Sequence, residues 1–420
     1  MVPTEESLTA ERSEGHRPSP PPLRRNRDFQ LFWIGSAISA FGSRASSIAY
    51  PLLVLALTGS AADAGIVGFA ATLPYLLLQL PFGALADRSD RRRVLLVADA
   101  SRGLVLAAVA AAVVLDWVSL PWLVLAAFVE GALTVLSGAA EPAAVRHLVH
   151  PDQFPNALAQ QEARDRAAML AGQPVGGALF AVGRAVPFVF DALSYLASLV
   201  ALLLIRKPMQ EPRERVPRRP PFRSEILRGL TWLWRRPFFR NASLLVAGSN
   251  FLFQALTLVL IVRATQQGAS PFMVGVILAG AGVGGVLGAA AAPRIRRALS
   301  LPAVILLTHW VWAVMLPVFA VLTEPVLVAL LFAAVAFVGP VWNVAVVAAR
   351  VAATPDELQG RVTTASKLAS YGAIPLGSLV AGWVIEMTGA TWTAVAISVA
   401  MVLLAVLATA SPAIRRGIAP

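Results

Sequence analysis

Long apolar runs separated by short polar turns dominate the chain from residue 31 onwards. A helix needs roughly 20 apolar residues to cross a bilayer, and windows of that kind recur along the sequence. The predicted spans are residues 31–57, 64–86, 94–115, 121–145, 157–183, 185–205, 241–263, 270–292, 302–322, 325–349, 362–386 and 390–411. This pattern predicts an all-α integral membrane protein with twelve transmembrane helices.

A long polar insert after the sixth span divides the pattern into two sets of six. Short motifs repeat between the sets: "PDQFPN" at 151–156 returns as "PDELQG" at 355–360, and "QPVGGAL" at 173–179 returns as "IPLGSLV" at 374–380. Nearly equal offsets of about half the chain indicate a duplicated six-helix unit, and transporters built from repeats bind substrate between them.

The domain boundaries follow from these shifts in composition. The predicted segments are a disordered cytoplasmic tail at 1–28, an N-terminal six-helix half at 29–205, a basic cytoplasmic linker at 206–240, a C-terminal six-helix half at 241–411 and a cytoplasmic tail at 412–420.

Within the linker, "SEILRGLTWLWRRP" places apolar residues at helical spacing among basic ones. These apolar residues are Ile226, Leu227, Leu230, Leu233 and Trp234. Such a segment predicts an amphipathic helix lying on the inner leaflet of the membrane, in contact with lipid. The alternative is that it forms the first turn of the seventh span.

Basic residues accumulate on one side of the predicted topology. If the N-terminus is cytoplasmic, 31 of the 35 Lys and Arg residues fall in cytoplasmic segments. Positive charge flanking spans marks the cytoplasmic face, so both termini are predicted to lie inside a multi-pass protein of the cytoplasmic (inner) membrane. This placement of basic residues on the cytoplasmic side accounts for the net charge of +12, so no nucleic-acid partner is expected.

Several kinds of chemistry find no support in the sequence. The chain has no cysteine, and its 4 histidines lack metal-ligand spacing. It also lacks a phosphate-binding Walker loop, a nucleophile elbow and an HExxH motif. We therefore expect no metal, no cofactor and no enzymatic activity.

One short charged loop, "GALADRSDRRR", stands between the second and third spans. It resembles the signature cytoplasmic loop of the major facilitator superfamily, with Asp90 where a glycine is usual. The matching residues are Gly83, Asp87, Arg88, Arg91 and Arg92. The stretches "LTGSAADAGIVG", "FVFDALSYLAS" and "PDELQGRV" further resemble the branch that includes bacterial macrolide-efflux and enterobactin-export proteins.

This resemblance implies a gating role for the loop. In the family, the aspartate at the position of Asp87 faces the N-terminal end of the eleventh span. Its carboxylate is stabilised there by the helix dipole, by roughly 0.3 to 1 kcal/mol when exposed, and so holds the cytoplasmic side closed. The alternative is that the loop acts only as a positive-inside anchor, which accounts for the arginines but not for the two aspartates.

A second motif, "AGQPVGGALFAVG" at 171–183, resembles the Gly-Pro-rich motif of the family's antiporters. Gly172, Gly176 and Gly177 match it, whereas Pro174 lies one place late and Gln173 occupies the usual proline position. Small residues allow close helix packing and proline kinks a helix, so the segment suits a bend between the halves. The resemblance implies exchange of substrate against protons.

Ionisable side chains inside spans are costly and need a partner, water or a function. The resemblance implies that spans 1, 4, 7 and 10 line the cavity, which would place Arg44 opposite Glu130. We expect Glu130 to carry the proton with Arg44 as its charge partner, a purely structural ion pair being the alternative. Asp191 is a second proton-site candidate. Asp99 and Arg102 share one helical face and are expected to play a structural role, paired with each other or with the loop arginines.

Polar and aromatic residues of spans 7 and 10 complete the predicted cavity. They are Asn250, Phe251, Gln254, Trp342 and Asn343. A cavity with few polar groups among aromatic rings suits an amphipathic organic molecule, although such rings also serve ordinary packing.

The combined prediction is a monomeric secondary transporter that exports an amphipathic solute of drug or siderophore type by proton antiport. Two alternatives stay open: a proton-coupled importer or facilitator of the same fold, and a non-transporting membrane scaffold or sensor.

Overall fold

The computed structural model describes residues 22–210, 222–355 and 358–417, and all regular structure within them is helical. The helices are α1 (Arg27–Thr58), α2 (Ala61–Leu77), α3 (Gln79–Arg88), α4 (Arg91–Val114), α5 (Leu120–Leu148), α6 (Phe154–Val182), α7 (Val186–Leu204), α8 (Phe222–Trp234), α9 (Pro237–Gln266), α10 (Pro271–Ala298), α11 (Leu301–Met315), α12 (Val318–Val321), α13 (Pro325–Ala353), α14 (Gln359–Tyr371), α15 (Ile374–Thr388), α16 (Ala390–Ala410) and α17 (Pro412–Arg416).

The prediction of an all-α, multi-pass membrane fold is confirmed. Among the described residues, 10 helices are long and apolar enough to cross a membrane, and 11 if the bent pair α2–α3 is one span. The predicted fifth span corresponds to α6, which is long enough but carries four charged residues between 162 and 166. A count of twelve spans stays a prediction.

Helix α1 begins where Asn26 caps it, inside the segment predicted to be a tail. The Asn26 side chain accepts from the Phe29 amide at 3.1 Å and donates to the Leu148 carbonyl at 2.8 Å. It therefore satisfies an unpaired amide at the start of α1 and a carbonyl at the end of α5. Residues 1–21 of the predicted tail lie outside the described part of the chain.

The signature loop is built from helix ends. Asp90, which stands where the family has a glycine, is the N-cap of α4 and accepts from the Arg93 amide at 3.0 Å. Arg91 donates to the Ala143 carbonyl at 3.3 Å, and Arg92 donates to the Leu203 carbonyl at 3.0 Å. These arginines thus occupy the carbonyl-rich ends of α5 and α7, where positive charge is favourable. 

Asp87 and Arg88 are exposed in the last turn of α3, and the added side chain of an alanine at Gly83 would meet open space. Helix α3, which carries these residues, is bent by 55° from α2. The predicted contact between Asp87 and the eleventh span stays a prediction.

Helices α1–α7 form the N-terminal helix group, and α9–α16 form the C-terminal helix group. Within the first, α1 packs on α6 and α7; within the second, α10 packs on α13 and α9 packs on α15. The internal repeat is visible in this packing. Gly176 of α6 touches the Ala45 backbone of α1, and Gly377 of α15 touches the Phe251 backbone of α9. Glycine permits both approaches because it has no Cβ.

The two groups meet along two helix pairs, α2 with α15 and α6 with α10. Gly65 and Gly382 bring α2 and α15 into backbone contact, and Gly177 and Gly275 do the same for α6 and α10. These contacts lie toward the helix ends opposite the arginine-rich loops, here called the far end. The ends that carry those loops form the basic end.

The amphipathic linker segment forms the separate helix α8, so it is not the first turn of α9. Gly229 packs against the Arg361 backbone at the start of α14, and Leu233 is fully buried. Leu227 and Trp234 remain exposed, while the Ile226 side chain and residues 211–221 lie outside the described part of the chain. One face of α8 is therefore docked on protein rather than free to lie on lipid.

Candidate functional site

A cavity of about 580 Å³ lies between the two helix groups. Its N-terminal wall is polar, and α1 contributes a row of hydroxyl groups to it. The row comprises Ser36, Ser39, Ser43, Ser46 and Ser47. Lining residues near the basic end include Phe32 and Glu141, so the cavity extends toward that end while α2 and α15 close the far end. Its volume is within the range of small-molecule sites.

The C-terminal wall of the cavity carries no charged side chain and combines three polar with three apolar residues. It is formed by Gln254, Thr257, Leu258 and Ile261 of α9, Leu278 of α10 and Ser378 of α15. Gln254 donates to the Ser378 hydroxyl at 2.8 Å, which ties α9 to α15.

Of the five residues predicted to bind substrate from this side, only Gln254 lines the cavity. Asn250 donates to the Ser370 carbonyl at 2.8 Å, and the Trp342 ring packs 4.8 Å from the His309 ring. Asn343 is exposed and Phe251 is half-buried. Hydropathy located their helices correctly but carried no information on how each helix is rotated about its axis.

Glu130 forms a buried ion pair with Arg102, not with Arg44 as the sequence suggested. Arg102 Nη2 lies 3.2 Å from Glu130 Oε1, and the Tyr50 hydroxyl donates to Glu130 Oε2 at 3.2 Å. The predicted pair of Asp99 with Arg102 is also wrong, because Asp99 turns toward α7 and accepts from the Ser198 hydroxyl at 2.7 Å. Arginine is long enough to reach from α4 across to α5 instead.

Further contacts hold the Arg102 guanidinium in place. It lies over the Tyr195 ring, with 4.4 Å from Cζ to the ring centroid, and Nη2 is 3.5 Å from the Ser43 hydroxyl. Ser43 and Tyr195 share a hydrogen bond of 2.7 Å. Helices α1, α4, α5 and α7 are therefore joined at one buried cation, whose desolvation is offset by the carboxylate and the ring.

Asp191 is fully buried between α7 and α1. Ser46 donates to its Oδ2 at 2.6 Å, and Ser194 donates to its Oδ1 at 3.0 Å. In the described chain no Lys or Arg forms an ion pair with it. Gly42 makes room for this arrangement, since a Cβ there would stand 2.5 Å from Oδ1. The carboxyl group is thus held by hydroxyls alone.

Arg44 extends from the middle of α1 into the cavity and is exposed there. The antiporter-like motif fixes its position: Gly172 lets α6 approach so closely that an added Cβ would lie 2.6 Å from Arg44 Cβ. Gln173 of the same motif lines the cavity, and Pro174 lies inside α6 without ending it.

At the basic end of the cavity, Glu141 accepts from Arg164 Nη1 at 2.9 Å and from Gln161 at 3.0 Å. Arg164 also contacts Asp165 at 2.8 Å. Arg164 reaches Glu141 because the charged first half of α6 turns toward the cavity. No cluster of three or more His, Asp or Glu in the described ranges could hold a metal ion.

At the far end, an acid of the C-terminal group caps a helix of the N-terminal group. Glu386 Oε2 accepts from the Ala61 amide at 2.9 Å and from the Ser60 hydroxyl at 3.2 Å. It therefore satisfies the first amide of α2 and interacts favourably with the positive end of its dipole. Sequence reasoning missed this contact, although Glu386 stands out as an acid at the end of an apolar span.

Comparisons with known proteins agree with this architecture. The family model for the transmembrane secretion effectors matches residues 19–417. The multidrug efflux pump Tap of Mycolicibacterium fortuitum is 28% identical over 402 residues, covering 92% of this chain and 96% of the relative. The pump of the same name from Mycobacterium tuberculosis (strain ATCC 25618 / H37Rv) is 28% identical over 404 residues, covering 92% and 93%.

Solved structures share the fold at low sequence identity. The nucleoside transporter NupG aligns with a TM-score of 0.70 at 15% identity, covering 93% of this chain and 99% of that one. A bacterial homologue of the lysosomal transporter Spinster, inward-facing and unoccupied, gives 0.70 at 15% identity, covering 91% and 96%. An inward-facing bacterial homologue of ferroportin gives 0.66 at 15% identity, covering 92% and 99%.

Proposed function

The chain belongs to the transmembrane secretion effector family of the major facilitator superfamily, and from this premise we propose that it exports an amphipathic organic solute by proton antiport. Family membership makes it a multi-pass membrane transporter and not an enzyme. The observation that carries the proposal is a cavity between two helix groups with buried acids in its wall. The multidrug pumps among its relatives support cargo of drug type, with siderophores as the second class.

The direction of transport rests on the charge distribution. Since basic residues flank spans on the cytoplasmic side, the basic end faces the cytoplasm, and we place both termini there in the cytoplasmic membrane. The cavity then loads from the cytoplasm while the far end is shut by α2 and α15. Rocking of one helix group against the other, within a monomer surrounded by lipid, would release the cargo outside.

We assign proton coupling first to Asp191 and second to Glu130. A carboxylate inside a membrane protein is costly unless it is paired, and Asp191 has only hydroxyl partners, so it carries a proton when the site around it is dry. Glu130 is held by Arg102 at 3.2 Å. Ser46 lines the cavity and reaches Asp191, so its hydroxyl gives the proton a route to the buried acid.

The test uses inside-out vesicles that are loaded with acid and contain a pH-sensitive dye. Added drugs or siderophores should trigger proton efflux in vesicles with the intact protein, and Asp191→Asn should abolish it. Asp116→Asn is the matched control, because Asp116 is exposed in the loop between α4 and α5. Its left-handed backbone, with φ of 53°, suits asparagine equally well.

Other outcomes separate the remaining assignments. If Asp191→Asn keeps substrate-triggered proton efflux and Glu130→Gln loses it, the proton site is assigned to Glu130. Uptake that does not depend on the pH gradient would favour a facilitator, and accumulation in the opposite direction would favour an importer. A folded protein that moves no compound while a linker deletion removes its cellular function would favour a scaffold or sensor.

A further inference from the structure

Arg44 is a cation on the wall of the cavity, and in the described part of the chain no acidic side chain forms an ion pair with it. Its side chain is exposed on the cavity wall at the middle of α1. None of the ion pairs or side-chain hydrogen bonds found in the described residues involves its guanidinium. A charge at this depth costs roughly 2.5 to 3.5 kcal/mol even on insertion scales, so it implies a function.

The acids that line the same cavity are already engaged. Glu130 is bound by Arg102 and Tyr50, and Arg164 binds both Glu141 and Asp165. The remaining lining acid, Asp99, is buried against α7 and accepts from Ser198 at 2.7 Å. No lining carboxylate is therefore placed to neutralise Arg44, and a ligand is the remaining source of negative charge.

The surroundings of Arg44 indicate the shape of that ligand. The base of its side chain is held in place because α6 packs directly behind it at Gly172, and the residue is exposed on the cavity wall. Across the cavity stand the apolar side chains Leu258, Ile261 and Leu278. A guanidinium binds a planar carboxylate through two parallel hydrogen bonds, whereas these three apolar side chains accept a hydrocarbon or aromatic body.

We propose that Arg44 binds the acidic group of the cargo, so that the transported compounds are amphipathic organic anions. This inference rests on the proposed function and narrows it. The proposed cargo therefore differs from cationic drugs, which an arginine without a carboxylate partner on the cavity wall would repel.

The experiment measures binding by the purified full-length protein in detergent, with no transport step. Three matched pairs of an aromatic acid and its uncharged amide serve as probes: dansyl-phenylalanine, naproxen and indole-3-acetic acid. Binding is measured by thermophoresis for the intact chain, Arg44→Gln, Arg44→Lys and the control Arg184→Gln. Arg184 is exposed at the far end and forms no ion pair within the described part of the chain. 

The intact protein should bind at least one acid about tenfold to a hundredfold more tightly than its amide, as expected for a charge-assisted hydrogen bond. Arg44→Gln should lower the affinity for the acid to that for the amide and leave the amide unchanged. Arg44→Lys should keep part of the preference, and Arg184→Gln should keep all of it. Gel filtration and thermal unfolding verify that each variant is folded.

Two results would overturn the inference: no acid in any pair binds better than its amide, or Arg44→Gln keeps the preference. Failure of the proposed function is distinguishable from both. If the protein prefers acids over amides through Arg44 but no compound triggers proton efflux from vesicles, antiport is rejected and the anion site is retained. If neutral or cationic drugs trigger proton efflux and none of the acids binds, the anion site is rejected and antiport is retained.

Discussion

At the residue scale, three buried acids have different kinds of partner. Glu130 forms an ion pair with Arg102, whereas Asp99 and Asp191 accept hydrogen bonds from serine hydroxyls. Sequence spacing could suggest that these residues needed partners, but not which partners. Arg102 and Glu130 lie on different helices, so their meeting depends on helix rotation and on the reach of a long side chain.

The ion pair makes a prediction about stability. Arg102→Met leaves Glu130 buried without its cation, and we expect this to lower the free energy of unfolding by about 3 to 5 kcal/mol. Adding Glu130→Gln should restore much of the loss, because the uncompensated charge is removed. Thermal unfolding in detergent measures both. A double variant no more stable than the single one would show that the Tyr195 and Ser43 contacts of Arg102 matter more than its charge pairing.

Ser46 and Ser47 are neighbours with different bonds, and they form a matched pair. Ser46 donates to Asp191, whereas Ser47 donates to the Arg44 carbonyl of its own helix. Ser46→Ala should slow substrate-triggered proton efflux roughly tenfold, since losing one hydrogen bond to a buried acid costs about 1 to 3 kcal/mol. Ser47→Ala removes only a bond within α1 and should slow efflux less than Ser46→Ala. Equal effects in the vesicle assay would remove Ser46 from the proton route.

At the scale of elements, glycines decide where helices touch. The hydropathy of the sequence was sufficient to predict the positions of most helices, because length and apolar content are local properties. It could not reveal that Gly176 touches α1 while Gly138 meets nothing within 4 Å, because that depends on tertiary packing. The same limit explains why Trp342 was placed in the cavity when it packs beside His309.

These two glycines predict effects of opposite sign. Gly138→Ala in α5 should stabilise the protein by about 0.5 to 1 kcal/mol, because alanine favours the helix and the space is open. Gly176→Ala should destabilise it by about 1 to 3 kcal/mol, since the new methyl group collides with the Ala45 backbone. Thermal unfolding compares them directly. A tolerated alanine at position 176 would mean that α6 can move away from α1 at little cost.

At the scale of the whole molecule, the far end is shut by contacts between the two groups, and Glu386 contributes a charged contact to it. A carboxylate at a helix N-terminus contributes about 0.3 to 1 kcal/mol when exposed, which corresponds to at most about a fivefold shift in population. Glu386→Gln should therefore increase the outward-open fraction by up to that factor.

Spin labels can measure this shift, since the native chain has no cysteine to remove. Cysteines at positions 116 and 324 would place one label on each helix group in far-end loops. Glu386→Gln should enlarge the longer-distance population. The matched control Glu162→Gln, which breaks only a surface pair with Arg166, should not. No difference between the two variants would mean that the glycine contacts alone hold this end closed.

The unequal division of charge between the two cavity walls has an evolutionary consequence. Among the residues that line the cavity, all charged ones belong to the N-terminal wall, whereas the opposite wall offers only uncharged side chains, including Leu258, Ile261 and Leu278. Substitutions on that uncharged wall change the shape of the cavity without disturbing any of the ion pairs described above. Substitutions that alter which compounds fit can therefore accumulate on one wall of the cavity, while the buried ion pairs of the other wall are retained.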